Sequence, residues 1–327
     1  MNNTSIKTRV VGVDVSVDNT TYAIVDVRGN ILVKESFPTF DYPDISNFIT
    51  KLSENIMMLA EANGGYDKIR SIGISVPSAN YLTGSIENAG NLPWKGIIPL
   101  AAMLRDRMGL AVAVANDAHT TALGEKVFGS AHGKRDFIVV SLGHGGIGSC
   151  FFSNGEPHLG TNGFAGEIGH TCVVENGRQC TCGSRGCLEA YSSARGLKQN
   201  AEELLAATDV PSLLRDGGEL TPERITECCE QGDAIAIEAM RLAGSILGQS
   251  LANYATVINP EAIIMTGSMI KAGKWLLDPM VKTFEESVFQ NIRDRVKLLV
   301  SILDNNDRDV LGASALAWDV PEYSLFK

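Results

Sequence analysis

The run Asp136-Phe137-Ile138-Val139-Val140-Ser141-Leu142 passes directly into Gly143-His144-Gly145-Gly146-Ile147-Gly148. Its first part is a short apolar, β-branched stretch that reads as a buried strand, and its second a glycine-rich turn. The opening of the chain has the same plan. Residues 10–15 form an apolar β-branched run, residues 21–27 another, and Gly29-Asn30 turns into a third at 31–37. Outward from these points, residues 45–62 carry apolar side chains at helical spacing and stop at Asn63-Gly64-Gly65. Residues 69–76 read as a buried strand, 98–108 as a helix and 111–115 as a strand that runs straight into Asn116-Asp117-Ala118-His119. The second set continues with a strand at 150–152, a turn at Ser153-Asn154-Gly155, helices at 192–207 and 235–258, and a strand at 262–266. Residues 208–222 are polar and turn-rich and read as a surface loop. Strands alternating with helices predict an α/β protein, here of two topologically related halves with a cleft between them.

Composition narrows the classes. The chain has 327 residues, 44% of them hydrophobic and 20% charged, as globular domains do. A formal charge of -10 without a basic stripe speaks against nucleic acid as a partner. The polar residues 1–9 carry no signal-peptide pattern, and no apolar run is long enough to span a bilayer, so a cytoplasmic protein is expected and a membrane partner is not.

Seven cysteines make an odd set. Cys150, Cys172, Cys228 and Cys229 are read as lying in apolar or helical segments. The other three cluster in Cys180-Thr181-Cys182-Gly183-Ser184-Arg185-Gly186-Cys187, where two glycines let the chain fold back on itself. His170 lies upstream and offers a fourth ligand. Three thiolates and one imidazole make a closed tetrahedral shell, the pattern of structural zinc. Buried free cysteines or a redox pair fit less well, because the neighbours are polar and Cys-X-Cys is not the spacing of a thiol oxidoreductase.

Gly163-Phe164-Ala165-Gly166-Glu167-Ile168-Gly169-His170, followed by the Cys180 to Glu189 stretch ending Gly186-Cys187-Leu188-Glu189, resembles the ROK family of bacterial sugar kinases, repressors and open reading frames. Matches extend over nearly the whole chain: Gly12-Val13-Asp14, Gly73-Ile74-Ser75-Val76-Pro77, Asn91-Leu92-Pro93-Trp94, Asn116-Asp117-Ala118 and Asn259-Pro260-Glu261. The resemblance implies a two-domain actin-like, ribonuclease-H-like fold, a homodimer or homotetramer, and a cleft in which a hexose meets Mg²⁺-ATP. It implies domains of residues 1–117, completed by about 309–327, and 118–308, which carries the zinc loop. By the same resemblance Asp117 is the catalytic base, and Asn91, Asn116, Asp117, Glu167, His170 and Glu189 contact the sugar. The phosphate and nucleotide side falls to Asp14, Ser16, Asp18, Gly143, His144, Gly145 and Gly267.

The first phosphate loop departs from the family pattern. Asp14-Val15-Ser16-Val17-Asp18-Asn19 stands where a glycine pair and a threonine are usual, and β-branched Val17 disfavours the positive φ such a loop often needs. Ser78 likewise replaces a glycine after Val76-Pro77. Two readings follow. One is an ATP-dependent, glucokinase-like hexose kinase; the other is a non-catalytic sugar-binding sensor derived from such a kinase. The few residues before the first strand leave no room for the repressors' DNA-binding module.

Overall fold

The computed structural model describes residues 7–143 and 146–320. Strands β1 (Arg9–Val15), β2 (Asn19–Asp26) and β3 (Ile31–Pro38) open the chain, followed by helix α1 (Ile45–Ala62) and β4 (Ile69–Ser75). Short strands β5 (Ala79–Asn80), β6 (Ser85–Glu87) and β7 (Ile97–Ile98) precede α2 (Leu100–Met108), β8 (Ala111–Ala115) and α3 (Asp117–Phe128). The plan restarts with β9 (Phe137–Gly143), β10 (Gly146–Ser153) and β11 (Glu156–Pro157). Helices α4 (Glu189–Ser192), α5 (Ala194–Ala207), α6 (Pro222–Glu230) and α7 (Ala234–Ile258) lead to β12 (Ala262–Thr266), α8 (Lys274–Ser287), β13 (Lys297–Val300) and α9 (Arg308–Asp319). Among the described residues no helix is long and apolar enough to cross a membrane.

The two sheets have the same topology. One runs β3-β2-β1-β4-β8 and the other β11-β10-β9-β12-β13. In each, the first three strands form an antiparallel meander and the last two join in parallel. Residues 7–133, 159–164 and 302–320 form one compact unit, and the described residues of 134–158 and 165–301 the other. These boundaries differ from 117/118 and 309: α3 stays with the first unit, and the chain returns to it at Ile302.

Several elements depart from the pattern expected of the sequence. The strand expected at 150–152 begins at Gly146, because the backbone of Gly146-Ile147-Gly148 pairs with Gly143-Leu142-Ser141 despite its low strand propensity. The helix expected at 192–207 is two helices, broken where Ser193 turns its hydroxyl onto the Gly196 amide as an N-cap. Helices α6, α8 and α9 lie outside the elements expected above, and α8 contains Pro279, which disguises it as a loop.

In the first unit, Val11, Val13 and Val15 of β1 and Ile72 and Ile74 of β4 bury one face of the sheet against Phe48, Leu52 and Ile56 of α1 and Leu100 and Leu104 of α2. The alternate residues Val10 and Val25 pack on the other face against Val310 and Ala317 of α9. That second contact is a close approach of backbones. A Cβ added to Gly12 would stand 2.3 Å from the Val310 carbonyl oxygen, one on Gly73 2.0 Å from that of Ala313, and one on Gly312 2.4 Å from that of Thr120 in α3. Bare glycine at these places lets α9 lie on β1, β4 and α3. In the second unit, Ile138, Val140 and Leu142 of β9 are buried with Leu197 of α5, Leu247 and Leu251 of α7 and Met280 of α8.

A methyl group at Gly12 has backbone, not a movable side chain, in its way. Gly12→Ala is therefore expected to lower stability by about 1–3 kcal/mol, the usual cost of overpacking. A denaturant midpoint equal to wild type would show that α9 does not rest there.

Candidate active site and metal centre

In the first unit the parallel strands β1, β4 and β8 end side by side, and in open α/β sheets such carboxyl ends are where ligands bind. Asp14 on β1 lies in register with Ser75 on β4, and Ser75 with Ala115 on β8. The Thr120 hydroxyl donates to Ser75 Oγ at 2.9 Å and holds it beneath Asp14. Past β8, Asn116 caps α3, its Oδ1 accepting the His119 amide at 2.8 Å. Asp117 occupies the first turn, where its Oδ1 accepts the Ala118 amide at 2.9 Å, a position that favours negative charge. The helix cap is thus Asn116. Asp117 is therefore not the cap, and the Asn116 carbonyl oxygen accepts the Thr120 amide. Asn91 is exposed, in the loop between β6 and β7.

Two charged residues with no motif join this set. Arg308 and Asp309 form the first turn of α9, the Arg308 Nε donating to Asp309 Oδ1 at 2.8 Å. Asp14, Asp117 and Asp309 are close enough to repel one another. The carboxyl of Asp14 is pushed up to about 8, first by loss of water around it, then by the charges of Asp309 and Asp117, against the opposing pull of Ser75 and Arg308. Asp117 is also pushed up. Desolvation is the main cause; the Ala118 amide opposes it and Asp309 adds to it. Dense protein around Asp117 contrasts with its own exposed side chain, so the direction holds while the exposed carboxylate stays open to a reactant. Sequence reading missed Asp309 because an acid in the first turn of a helix looks like an ordinary end-of-helix residue. His119 is buried and pushed down to about 4 by that burial, a neutral ring packed edge-on against Tyr81.

The first phosphate loop makes a turn that asks nothing of glycine. Between Val15 and Thr20 no residue takes a positive φ. Instead, the Ser16 amide and hydroxyl both donate to the Asn19 carbonyl oxygen, at 3.0 and 2.8 Å, closing the hairpin internally. Val17 and Asp18 point outward and are exposed. Ser78, by contrast, does sit at φ 59°, the left-handed conformation in which a glycine is unstrained.

In the second unit Gly143 closes β9 opposite Gly146, while His144 and Gly145 lie outside the described residues. Gly267 follows β12 and begins a 3-10 turn; beside it the buried Ser268 hydroxyl has no partner among the described residues. Glu189 does something sequence reading did not anticipate. Its Oε2 accepts the Ile147 amide at 3.0 Å and fills the space beside Gly146, where a Cβ would stand 2.1 Å away. Its other oxygen lies 3.4 Å from the Thr181 hydroxyl and 3.5 Å from Arg195. Glu189 thereby ties the cysteine loop to the glycine turn. Glu167 is exposed and stands just before the 3-10 turn Ile168–His170.

The four expected metal ligands meet. One ligand atom each from His170, Cys180, Cys182 and Cys187 lie within 4.8 Å of one another. Cys180 Sγ is 3.7 Å from His170 Nδ1, and Cys182 Sγ is 3.7 Å from Cys187 Sγ. A tetrahedron with zinc–sulfur arms of about 2.3 Å has edges of about 3.8 Å, which these two 3.7 Å pairs match. The Ser184 backbone amide, aimed at the Cys182 sulfur, is the first cause holding that thiol down to about 7. Arg178 braces the loop from behind, stacked on Tyr191 and bonded to Asn200 at 2.7 Å and to Glu203 at 2.9 Å.

The sequence profile of the ROK family matches residues 10–320. The chain belongs to the ROK family. Among similar proteins, a glucokinase of Halalkalibacterium halodurans is 33% identical over 315 residues, which cover 94% of each chain. A xylose repressor of Bacillus subtilis is 29% identical over 94% of this chain and 77% of its own length. Of solved structures, a ROK-family glucokinase from Streptomyces griseus in complex with glucose and AMPPNP superposes with a TM-score of 0.76 at 29% identity, covering 95% of this chain and all of that one. This ROK protein accordingly has the α/β, two-domain, actin-like fold of that family's sugar kinases, and the paired sheets described above are its two halves.

The Asp14 shift has a thermodynamic consequence. An acid whose pKa is raised on folding is held protonated by the folded state between its ordinary 3.8 and about 8, so its full contribution is present at low pH and is lost as pH rises through that window. Asp14→Asn, which cannot ionise, is expected to be more stable than wild type at pH 8 by on the order of 1–3 kcal/mol, with the difference vanishing towards pH 4. Parallel thermal melts across pH check this; a constant difference would remove Asp14 as its source.

Proposed function

We propose that this ROK protein transfers the γ-phosphoryl group of ATP to a hydroxyl of a hexose, with Asp117 as the general base. The observation that carries the proposal is the exposed Asp117 carboxylate, with its raised proton affinity, at the ends of β1, β4 and β8 in a chain that matches a glucokinase over 94% of both lengths. A carboxylate whose pKa lies above the ordinary range takes a proton from an attacking hydroxyl better than an ordinary one does. Positioning and charge stabilisation supply the rest of phosphoryl transfer.

The hexose is held by Asn91, Asn116, Glu167, His170 and Glu189, whose carboxylates, carboxamides and imidazole suit adjacent hydroxyls. With Nδ1 turned to the metal, His170 keeps Nε2 for the sugar. Asp14, Ser16, Asp18, Gly143, His144, Gly145 and Gly267 serve the nucleotide. The hard oxygen donors of Asp14 and Asp18 fit Mg²⁺, which supplies charge neutralisation at the phosphates. Zinc at His170, Cys180, Cys182 and Cys187 is structural and holds the loop from which Glu189 departs. The family relationship implies a homodimer or homotetramer in the cytoplasm. The sensor reading is not favoured: the Ser16-closed turn replaces the missing glycines without strained backbone, and the glucokinase match covers 94% of both chains.

A coupled ADP-release assay with Mg²⁺-ATP against a hexose panel is expected to find turnover that falls at least about 10³-fold in Asp117→Asn while calorimetry still detects sugar binding. Wild-type kcat/KM should fall on the acid side at a pH above the ordinary carboxylate range, following the raised Asp117. Sugar binding without turnover in wild type would instead establish the sensor. For the metal, Cys182→Ala should lose zinc by elemental analysis and lower both stability and sugar affinity; one zinc per chain in that variant would overturn the ligand assignment.

A further inference from the structure

Cys172, followed by Val173 and Val174, is not in a helix. It is exposed, and it pairs across an isolated antiparallel bridge with Cys187. The flanking hydrogen bonds define the geometry of that pair. The Val173 amide donates to the Gly186 carbonyl oxygen at 2.8 Å, and the Leu188 amide to that of Thr171 at 3.0 Å. Cys172 and Cys187 therefore form a non-hydrogen-bonded pair, the type whose Cα atoms are about 4.5 Å apart with side chains on one face. That spacing falls within the range a disulfide spans. Cys172 Sγ now rests 3.6 Å from the Val174 carbonyl oxygen, and rotation about its first side-chain torsion turns it across the bridge. Cys187 Sγ, on the other side, belongs to the metal cluster, 3.7 Å from Cys182 Sγ.

We propose that Cys172 is a peroxide-reactive site whose oxidation captures Cys187 in a disulfide and strips the metal centre of one ligand. In the metal-loaded protein the three clustered sulfurs are occupied and Cys172 is the exposed thiol beside them. Hydrogen peroxide oxidises Cys172 to the sulfenic acid, its O–O bond breaking, one oxygen going to sulfur and the other leaving as water. The Cys187 sulfur then attacks the Cys172 sulfur; the S–S bond forms, the S–O bond breaks, and the hydroxyl takes a proton and leaves as a second water. Two thiols have been oxidised and one peroxide reduced. Three ligands remain where a closed shell needs four, and the loop that carries Glu189 loses its clasp. Reduction by a dithiol reverses the step.

The proposal rests on the zinc reading, and the experiment separates the two. Metal content is measured first. The protein is then treated with equimolar hydrogen peroxide beside Cys172→Ser, while a chromophoric chelator follows zinc release and peptide mass mapping locates the disulfide. The expected result is a Cys172–Cys187 link in wild type, with zinc release at least tenfold faster than in Cys172→Ser and reversed by dithiothreitol and added zinc. Equal release from both proteins, or a disulfide confined to Cys182–Cys187 or Cys180–Cys182, overturns it. Should the purified protein hold no zinc, the metal reading fails by itself, and the mapped link, present or absent, still decides whether Cys172 captures Cys187.

Discussion

The close approach of α9 to β1, β4 and α3 is the constraint on which the first unit depends. Backbone meets backbone at Gly12, Gly73 and Gly312, with no side chain between to absorb a change. The same approach has an electrostatic result. It brings the first turn of α9, with Arg308 and Asp309, towards Asp14 at the end of β1 and Asp117 at the start of α3, so that three carboxylates and one guanidinium act on one another. Packing on one side of the sheet thus sets the proton affinity of groups at its edge. The repulsion costs stability at neutral pH.

The second unit is organised around a different contact. Glu189 leaves the cysteine loop and bonds to the Ile147 amide, so metal ligands, short helix α4 and glycine turn form one connected piece. Arg178, held by Tyr191, Asn200 and Glu203, stiffens the loop from the side away from the ligands. The Gly146-Ile147 backbone is thereby tied to Glu189, so the geometry of the cysteine loop bears on that of the turn. Cys172 enters the same piece through its bridge to Cys187, which makes the loop's geometry open to thiol chemistry.

The turn between β1 and β2 shows how a hairpin expected to need glycine can close by a different local solution. Glycine in such a loop supplies positive φ; Ser16 supplies a hydroxyl that closes the turn at ordinary φ. Ser78 shows the opposite case. There a serine stands in the left-handed conformation in which a glycine would be unstrained. One substitution changed the device and the other bears strain, and only the backbone angles distinguish them.

Sequence alone determined the α/β class, the two related halves, most strands and helices of the first half, and the one histidine and three cysteines that come together. These follow from local pattern: period-2 and helical spacing, turn residues, and three thiols within one short loop. It could not show α8, whose Pro279 reads as a break, nor that α3 belongs with α9, because helix packing is settled by which backbones can touch. It could not find Asp309, which has no motif and matters only because a distant glycine lets its helix descend onto β1. Nor could it tell that Asn116 rather than Asp117 caps α3, that Glu189 is held by Ile147, or that Cys172 faces Cys187. Each of these is a contact between residues distant in the chain or a choice between neighbours with the same chemistry, and the tertiary structure decides both kinds by geometry.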